Sequence, residues 1–364
     1  MIGLITINDY KNTGNRLQNY AMFKILSSYG NTKNIVRLLD CESKSSKKIV
    51  IYRFKNQIKN IVKFFIPGKY HYSAVRQYLF ACFNKNIVNG ETLSSDTNYK
   101  SVNKKYNYFV TGSDQVWNPS FRGNGMYINM LAFTSSEKKI AGCPSVGIDM
   151  LSETQEEEFK RYLTDFRYLS CRESAGAELI TKITEKECIT LIDPTLIIDI
   201  SEWDRIAHKP FYSLPSNYIV LYFLGRITEE YMKKIEQLSM DKRLIIVNIN
   251  DPKSKYYMTG PAEFIYLIKN SSMVVTDSYH ATIFSLIYNK PVKVLNRIDE
   301  TKTMNSRFHS LIKTLEIDSS IFEWEKGNSD LISPIKYSSD RLVYEKNKFK
   351  SYFNLCFTCD NNRL

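Results

Sequence analysis

With only four histidines among 364 residues, the chain has few groups suited to moving protons near neutral pH. His280 stands in Thr276-Asp277-Ser278-Tyr279-His280, after an apolar run and at the head of an apolar helical stretch. There it would act beside the free backbone N–H groups of a helix's first turn, which bind anions. The plainer reading has Asp277 or Ser278 capping the helix and His280 partly buried. His71, His208 and His309 have no such context and read as structural. Arg172, in Cys171-Arg172-Glu173-Ser174, follows another short apolar run. Its planar guanidinium suits a carboxylate or phosphate, or else pairs with Glu173 or Glu178. Asp114, after Gly112-Ser113, would orient or deprotonate a hydroxyl, or serve as a turn cap. Asn12-Thr13-Gly14-Asn15 is the fourth polar cluster, and Trp117 reads as core.

Short apolar runs alternating with amphipathic stretches would position these clusters, which is the α/β pattern. Strands are expected at 2–7, 34–39, 106–111, 139–143, 168–171, 188–191, 218–224, 243–249, 273–276 and 291–295. Helices are expected at about 16–28, 155–162, from 175, 229–238, 261–269 and 281–288. Each polar cluster then falls just after a strand, where open α/β sheets bind ligands. Prolines and polar residues gather between 200 and 215. The expected division is an N-terminal Rossmann-like unit over 1–202, a second over 203–335 and a C-terminal extension over 336–364. Two doubly wound units would face each other across a cleft. No Walker A loop, GxGxxG, HExxH or GxSxG occurs.

Fifty Lys+Arg against 38 Asp+Glu give a formal charge of +12. Residues 43–90 carry ten of the basic residues and no acidic one, so the rest of the chain is nearly neutral. That distribution, with no recognised motif, argues against nucleic-acid binding. No apolar run approaches the ~20 residues of a membrane span. The first residues lack the basic region of a secretory leader, and seven scattered cysteines suit no disulfide framework. The expectation is a cytoplasmic protein. Cys356-x-x-Cys359 has no second pair with which to hold zinc.

Taken together, several motifs are more specific than any one. They are Asn12-x-Gly14-Asn15-x-Leu17-Gln18, Gly112-Ser113-Asp114-Gln115-Val116-Trp117-Asn118-Pro119, Cys171-Arg172-Glu173, Asp193-Pro194-Thr195-Leu196, Thr276-Asp277-Ser278-Tyr279-His280-Ala281-Thr282 and Asn305-Ser306-Arg307. In order and spacing the set resembles the polysaccharide pyruvyl transferase family over roughly residues 3–315. Tyr279-His280-Ala281 departs from the Phe-His-Gly frequent there, and residues 43–90 match nothing in the shared pattern. The resemblance implies a fold like GT-B glycosyltransferases. It also implies transfer of pyruvate from phosphoenolpyruvate to a sugar diol of a surface polysaccharide precursor, such as an exopolysaccharide or capsule, as a cyclic ketal. On that basis Arg172 and His280 would be catalytic, and Arg172, Ser278, His280 and Arg307 would hold the donor. Asn15, Asp114 and Gln115 would contact the acceptor, a glycan or lipid-linked oligosaccharide. No metal or cofactor is expected. The rival readings are a GT-B glycosyltransferase using a nucleotide sugar and a non-catalytic glycan-binding member of a polysaccharide-assembly system.

Between 48 and 65, Ile51, Phe54, Ile58, Ile61, Val62 and Phe65 recur at helical spacing, with Lys48, Lys55, Lys59 and Lys63 on another face. Such a basic amphipathic helix either docks on the N-terminal unit with its lysines in water or rests on an anionic membrane. The second reading would place the protein peripherally on the inner face of the membrane.

Overall fold

The computed structural model describes residues 1–37, 44–121, 126–148, 150–297, 305–322 and 333–358. Its first strand, β1 (Ile2–Ile5), is buried along its whole length, as a strand covered on both faces must be. The chain continues through α1 (Thr13–Ser27), β2 (Thr32–Arg37), α2 (Ser46–Phe64), α3 (Lys69–Asn84) and β3 (Asn89–Leu93). Then come α4 (Tyr99–Lys105), β4 (Tyr108–Thr111), α5 (Met126–Asn129) and β5 (Lys139–Ala141). These strands pair in parallel in the order β3-β2-β1-β4-β5. The strand expected at 34–39 begins earlier, at Thr32, and its last two positions lie outside the described residues. β3 was not expected. It is an edge strand with only Leu93 fully buried, so it lacks the apolar run that marks central strands.

A two-stranded parallel sheet follows, from α6 (Glu153–Leu163), β6 (Leu169–Cys171), α7 (Ser174–Thr184) and β7 (Cys188–Thr190). It is tied to β5 by Ser170 Oγ, which donates to Ala141 O at 2.6 Å. After α8 (Ile200–Ile206) come β8 (Tyr218–Tyr222), α9 (Glu229–Lys242), β9 (Ile245–Asn248) and α10 (Pro261–Asn270). The second main sheet is completed by β10 (Met273–Thr276), α11 (Tyr279–Ile287) and β11 (Val292–Val294), in the parallel order β11-β10-β8-β9. Parallel strands with helical crossovers make the fold α/β, with two Rossmann-like units facing each other.

The core runs continuously between the two units. α1 is the wedge: Leu17, Tyr20 and Met22 belong to the same cluster as Trp203, Phe264 and Phe284. Tyr20 lies 5.7 Å from Trp203, and Trp203 meets Phe284 edge-on at 4.8 Å between ring centroids. Helices α12 (Asn305–Leu315) and α13 (Ser339–Thr358) close the chain. α13 returns to the first unit, where Tyr352 Oη donates to Ala141 O at 2.7 Å and Phe357 stacks on Tyr29. Cys356 is buried in this contact, while Cys359 lies outside the described residues.

The docked reading of the basic helix is not what the fold adopts. In α2 only Ile49 is buried, and the six apolar residues that were to pack inward are between 46 and 77% exposed. The reason is that α2 meets the protein through the side that carries Ser46, Ile49 and Arg53. Ser46 is held by Asp96 at its start, and Arg53 Nη2 donates to Thr92 Oγ1 at 3.3 Å.

Candidate functional site

In a doubly wound sheet, ligands gather beyond the carboxyl ends of the strands where the winding reverses. That point lies between β1 and β4 in the first sheet and between β8 and β10 in the second. Residues 12–15 follow β1, 112–115 follow β4, 172–174 follow β6, 193 follows β7 and 277–280 follow β10. Strand ends from all three sheets thus meet at one place.

Asp193 is the hub of the meeting. Its Oδ2 accepts from Arg172 Nη1 at 2.8 Å and lies 3.6 Å from His280 Nε2. Its Oδ1 accepts from the backbone N and the hydroxyl of Thr195, at 3.0 and 2.6 Å. Complete burial opposes its charge, but His280, Arg172 and Thr195 outweigh that and hold the carboxyl well below the usual range.

Asp114 stands on the other side of Arg172. Its Oδ1 lies 3.6 Å from Arg172 Nη2 and 3.8 Å from Arg307 Nη1, and its Oδ2 accepts from Asn15 Nδ2 at 3.1 Å. Its backbone is left-handed, with φ 64°, a conformation that Asp tolerates better than most residues. Burial raises its pKa, but the charges of Arg172, His280 and Arg307 and the Asn15 amide lower it further, to about 2. Arg307 is pushed down to about 10, by burial first and by the like charge of Arg172 second.

The ring of Tyr279 serves both arginines, with Arg172 Cζ 5.0 Å and Arg307 Cζ 5.5 Å from its centroid. Arg172 is buried, and burial disfavours its charge, yet Asp193, Tyr279, Asp114 and Glu173 more than compensate and raise its pKa. Its neighbour Glu173 turns away and accepts from Ser145 Oγ, Val146 N and Gly147 N at 3.0, 2.7 and 2.9 Å. Asp193 uses only Nη1. Arg172 Nε and Nη2, together with His280 Nε2, are buried and have no hydrogen-bond partner in the protein. Buried groups of this kind call for a partner from outside the chain. The free Nε–Nη2 edge is the side of a guanidinium that grips a carboxylate or phosphate through two parallel bonds.

The remaining expected residues are distributed around this cluster. Ser278 caps α11, its Oγ accepting from Ala281 N at 3.5 Å, so the capping role and nearness to His280 coexist. Asp277 turns to the β8 loop, where it accepts from Leu224 N and Gly225 N at 2.7 Å. Asn15 is buried and reaches the cluster through Asp114. Gln115 donates its backbone N–H to Asp114 Oδ1 at 2.9 Å. His71 and His208 bond to the carbonyls of Phe64 and Lys209, outside this cluster.

Asp193, Tyr279 and Gly14 were not assigned roles from the residues alone. The available signal for Asp193 was its place directly after a short strand, shared with Arg172 and Asp114. Among the described residues no group of three or more His, Cys, Asp or Glu is arranged to hold a metal ion. None of the helices there is long and apolar enough to cross a membrane.

The family described as polysaccharide pyruvyl transferase matches residues 12–299, which include every member of the cluster except Arg307. No curated protein matches the chain. Among solved structures, the UDP-N-acetylglucosamine 2-epimerase of Rickettsia bellii is similar at 10% identity and a TM-score of 0.45, covering 100% of this chain and 98% of that one. The UDP-GlcNAc 2-epimerase of Methanocaldococcus jannaschii, in complex with UDP-GlcNAc and UDP, is similar at 13% identity and a TM-score of 0.41, covering 81% and 83%.

Proposed function

The chain belongs to the polysaccharide pyruvyl transferase family, and from that premise we propose that it moves pyruvate from phosphoenolpyruvate onto two hydroxyls of one sugar residue. The observation supporting this reading is the Nε–Nη2 edge of Arg172 beside Nε2 of His280, buried atoms that make no hydrogen bond in the protein, with carboxylates no nearer than 3.6 Å to Nη2 and Nε2. A small dianionic or trianionic donor carries both a carboxylate and a phosphate, and each matches that edge.

In the proposed reaction, a proton is added to the methylene carbon of the donor and leaves an oxocarbenium-like centre at C2. One sugar hydroxyl attacks C2, the C2–O bond to phosphate breaks, and the second hydroxyl closes the ketal. Of the two hydroxyl protons, one balances the new methyl group and the other leaves with phosphate. His280 is the proton-transfer group, because its Nε2 is the nitrogen left open next to Arg172. Arg172 and Arg307 hold the donor anion, and Ser278 sets the first turn of α11 behind it. Asp114 receives the acceptor hydroxyl, with Asn15 and Gln115 fixing its carboxylate.

The side chains of Arg172 and Arg307 are 1 and 5% exposed. Donor entry therefore requires the loops of the two sheets to part and then reclose, which excludes water from the oxocarbenium stage.

The deciding experiment incubates the protein with phosphoenolpyruvate and galactose- or mannose-type glycans. Mass spectrometry should show the acceptor gaining a pyruvate ketal, with one phosphate released per ketal. A thermal shift with CMP- or UDP-sugars but none with phosphoenolpyruvate would instead favour a nucleotide-sugar glycosyltransferase. Glycan binding with neither turnover nor a donor shift would favour a binding protein.

A further inference from the structure

α2 presents its apolar side away from the protein. At 3.6 residues per turn, Val50, Ile61, Phe54, Phe65, Ile58, Ile51 and Val62 fall side by side on an arc of about 120°. The buried Ile49 and the tethered Arg53 lie on the opposite side of the helix. Lys55, Lys48 and Lys59, all exposed, run along one edge of the apolar arc. We propose that this face of α2 rests on an anionic lipid bilayer, with Phe54, Ile58 and Ile61 among the acyl chains and the three lysines at the headgroups.

Three observations favour lipid over other occupants. The helix is 19 residues long, about 28 Å, and its apolar arc is unbroken from Val50 onward, with Lys47 on the same arc at its N-terminal end, as suits an interfacial helix. Lysines at the edge of such an arc extend their heads to the phosphate level while their stems stay on apolar surface. Residues 43–90 carry ten basic residues and no acidic one. Two copies meeting through α2 would therefore bring like charges together, whereas an anionic surface neutralises them.

The attachment also ties α2, through α3, to both Rossmann-like units. Phe64 O accepts from His71 Nδ1 at 2.6 Å and so joins the end of α2 to α3. α3 is anchored by Arg76, whose Nη1 donates to Ile249 O and Tyr257 O at 3.1 and 3.3 Å. A membrane contact at α2 would thus hold both Rossmann-like units at a defined attitude to the lipid surface, where a lipid-linked acceptor would be displayed. The surface itself does not depend on which reaction the site performs.

The test is co-sedimentation of the full chain with phosphatidylcholine vesicles, with and without phosphatidylglycerol. The expected result is binding only to the anionic vesicles, weakened by added salt. Replacing the edge lysines (Lys48→Gln, Lys55→Gln, Lys59→Gln) should weaken partitioning roughly a hundred-fold. Replacing Phe54→Ser, Ile58→Ser and Ile61→Ser should abolish it. Because all six positions are exposed, both triple variants should keep the parent unfolding midpoint, and phosphate release with a soluble acceptor should be unaltered. Absence of binding to anionic vesicles overturns the proposal, as does binding indifferent to both sets of substitutions. A concentration-dependent dimer dissolved by the serine variant, without vesicle binding, would assign the face to a second copy. Vesicle binding by a protein that releases no phosphate would strike the reaction and leave this surface standing.

Discussion

Gly14, in the first turn of α1, lies against the ring of His280, in the first turn of α11. A Cβ built on Gly14 would stand 2.3 Å from His280 Nδ1 and 2.7 Å from its Cγ. The two helix starts belong to different Rossmann-like units, and only hydrogen at position 14 lets them approach so closely. The imidazole is thereby located from both sides, by Gly14 against its Nδ1 edge and by Asp193 3.6 Å from Nε2.

Gly14→Ala should therefore lower turnover by about a hundred-fold, the usual penalty for displacing a catalytic group by around an ångström. Donor affinity should change little, because Arg172 is not touched. Steady-state phosphate release together with calorimetric donor binding would separate these effects. A Gly14→Ala enzyme with parental turnover would show that His280 is not the proton-transfer group or that its position is not critical.

His280→Gln and Arg172→Ala should fail in different ways. The first keeps the donor clamp and should lose most turnover while still binding phosphoenolpyruvate. The second removes the free Nε–Nη2 edge and should raise the donor Kd by about ten-fold or more. It also leaves the buried Asp193 without its guanidinium partner, held only by Thr195 and the nearby His280, so its unfolding free energy should be compared with the parent in urea.

Asp193→Ala should be the most destabilising change in the cluster. Removing its closest partner leaves the buried Arg172 charge offset only by Asp114, Tyr279 and Glu173, a loss of up to about 3–5 kcal/mol. Chemical denaturation would measure it. Because Asp193 holds Nη1 of Arg172, weaker donor binding should accompany the loss even at temperatures where the variant remains folded.

Acid should act through Asp114. Its pKa is about 2 in the folded protein against an ordinary 3.8. A carboxyl lowered by folding contributes stability above its unfolded pKa and loses that contribution as pH falls through its folded pKa. Asp114 should thus contribute about 2 kcal/mol at neutral pH, lost between about pH 4 and pH 2. The melting temperature of Asp114→Asn should fall less steeply across that window than the parent's. Equal slopes would mean that the charges of Arg172 and Arg307 do not act on this carboxyl.

The residues of the candidate site were more legible than the segment that stands outside the fold. Arg172, Asp114 and His280 each sit just past an apolar run, and a parallel sheet puts such positions at one edge of each unit. The roles of Tyr279 and Asp193 depend on approaches across the chain. Nothing local to Tyr279 announces that its ring lies 5.0 and 5.5 Å from two guanidinium carbons, one of them 28 positions further along the chain. Whether the apolar face of α2 is covered was not legible for a related reason. An amphipathic period says that a helix has an apolar side, and it does not say whether another element reaches that side.

The sequence by itself determined the α/β class, the order of the strands apart from β3 and the family, because those follow from local apolar periodicity and from short motifs in a set order. It also determined that the charge is concentrated in residues 43–90. Only the tertiary structure decided that Asp193 links Arg172 to His280 and that Gly14 makes room for the imidazole. It alone decided that α13 returns to the first unit and that the apolar arc of α2 faces outward. These are contacts between residues tens to hundreds of positions apart, and their distances depend on how two sheets wound independently come to lie against a single buried helix, α1.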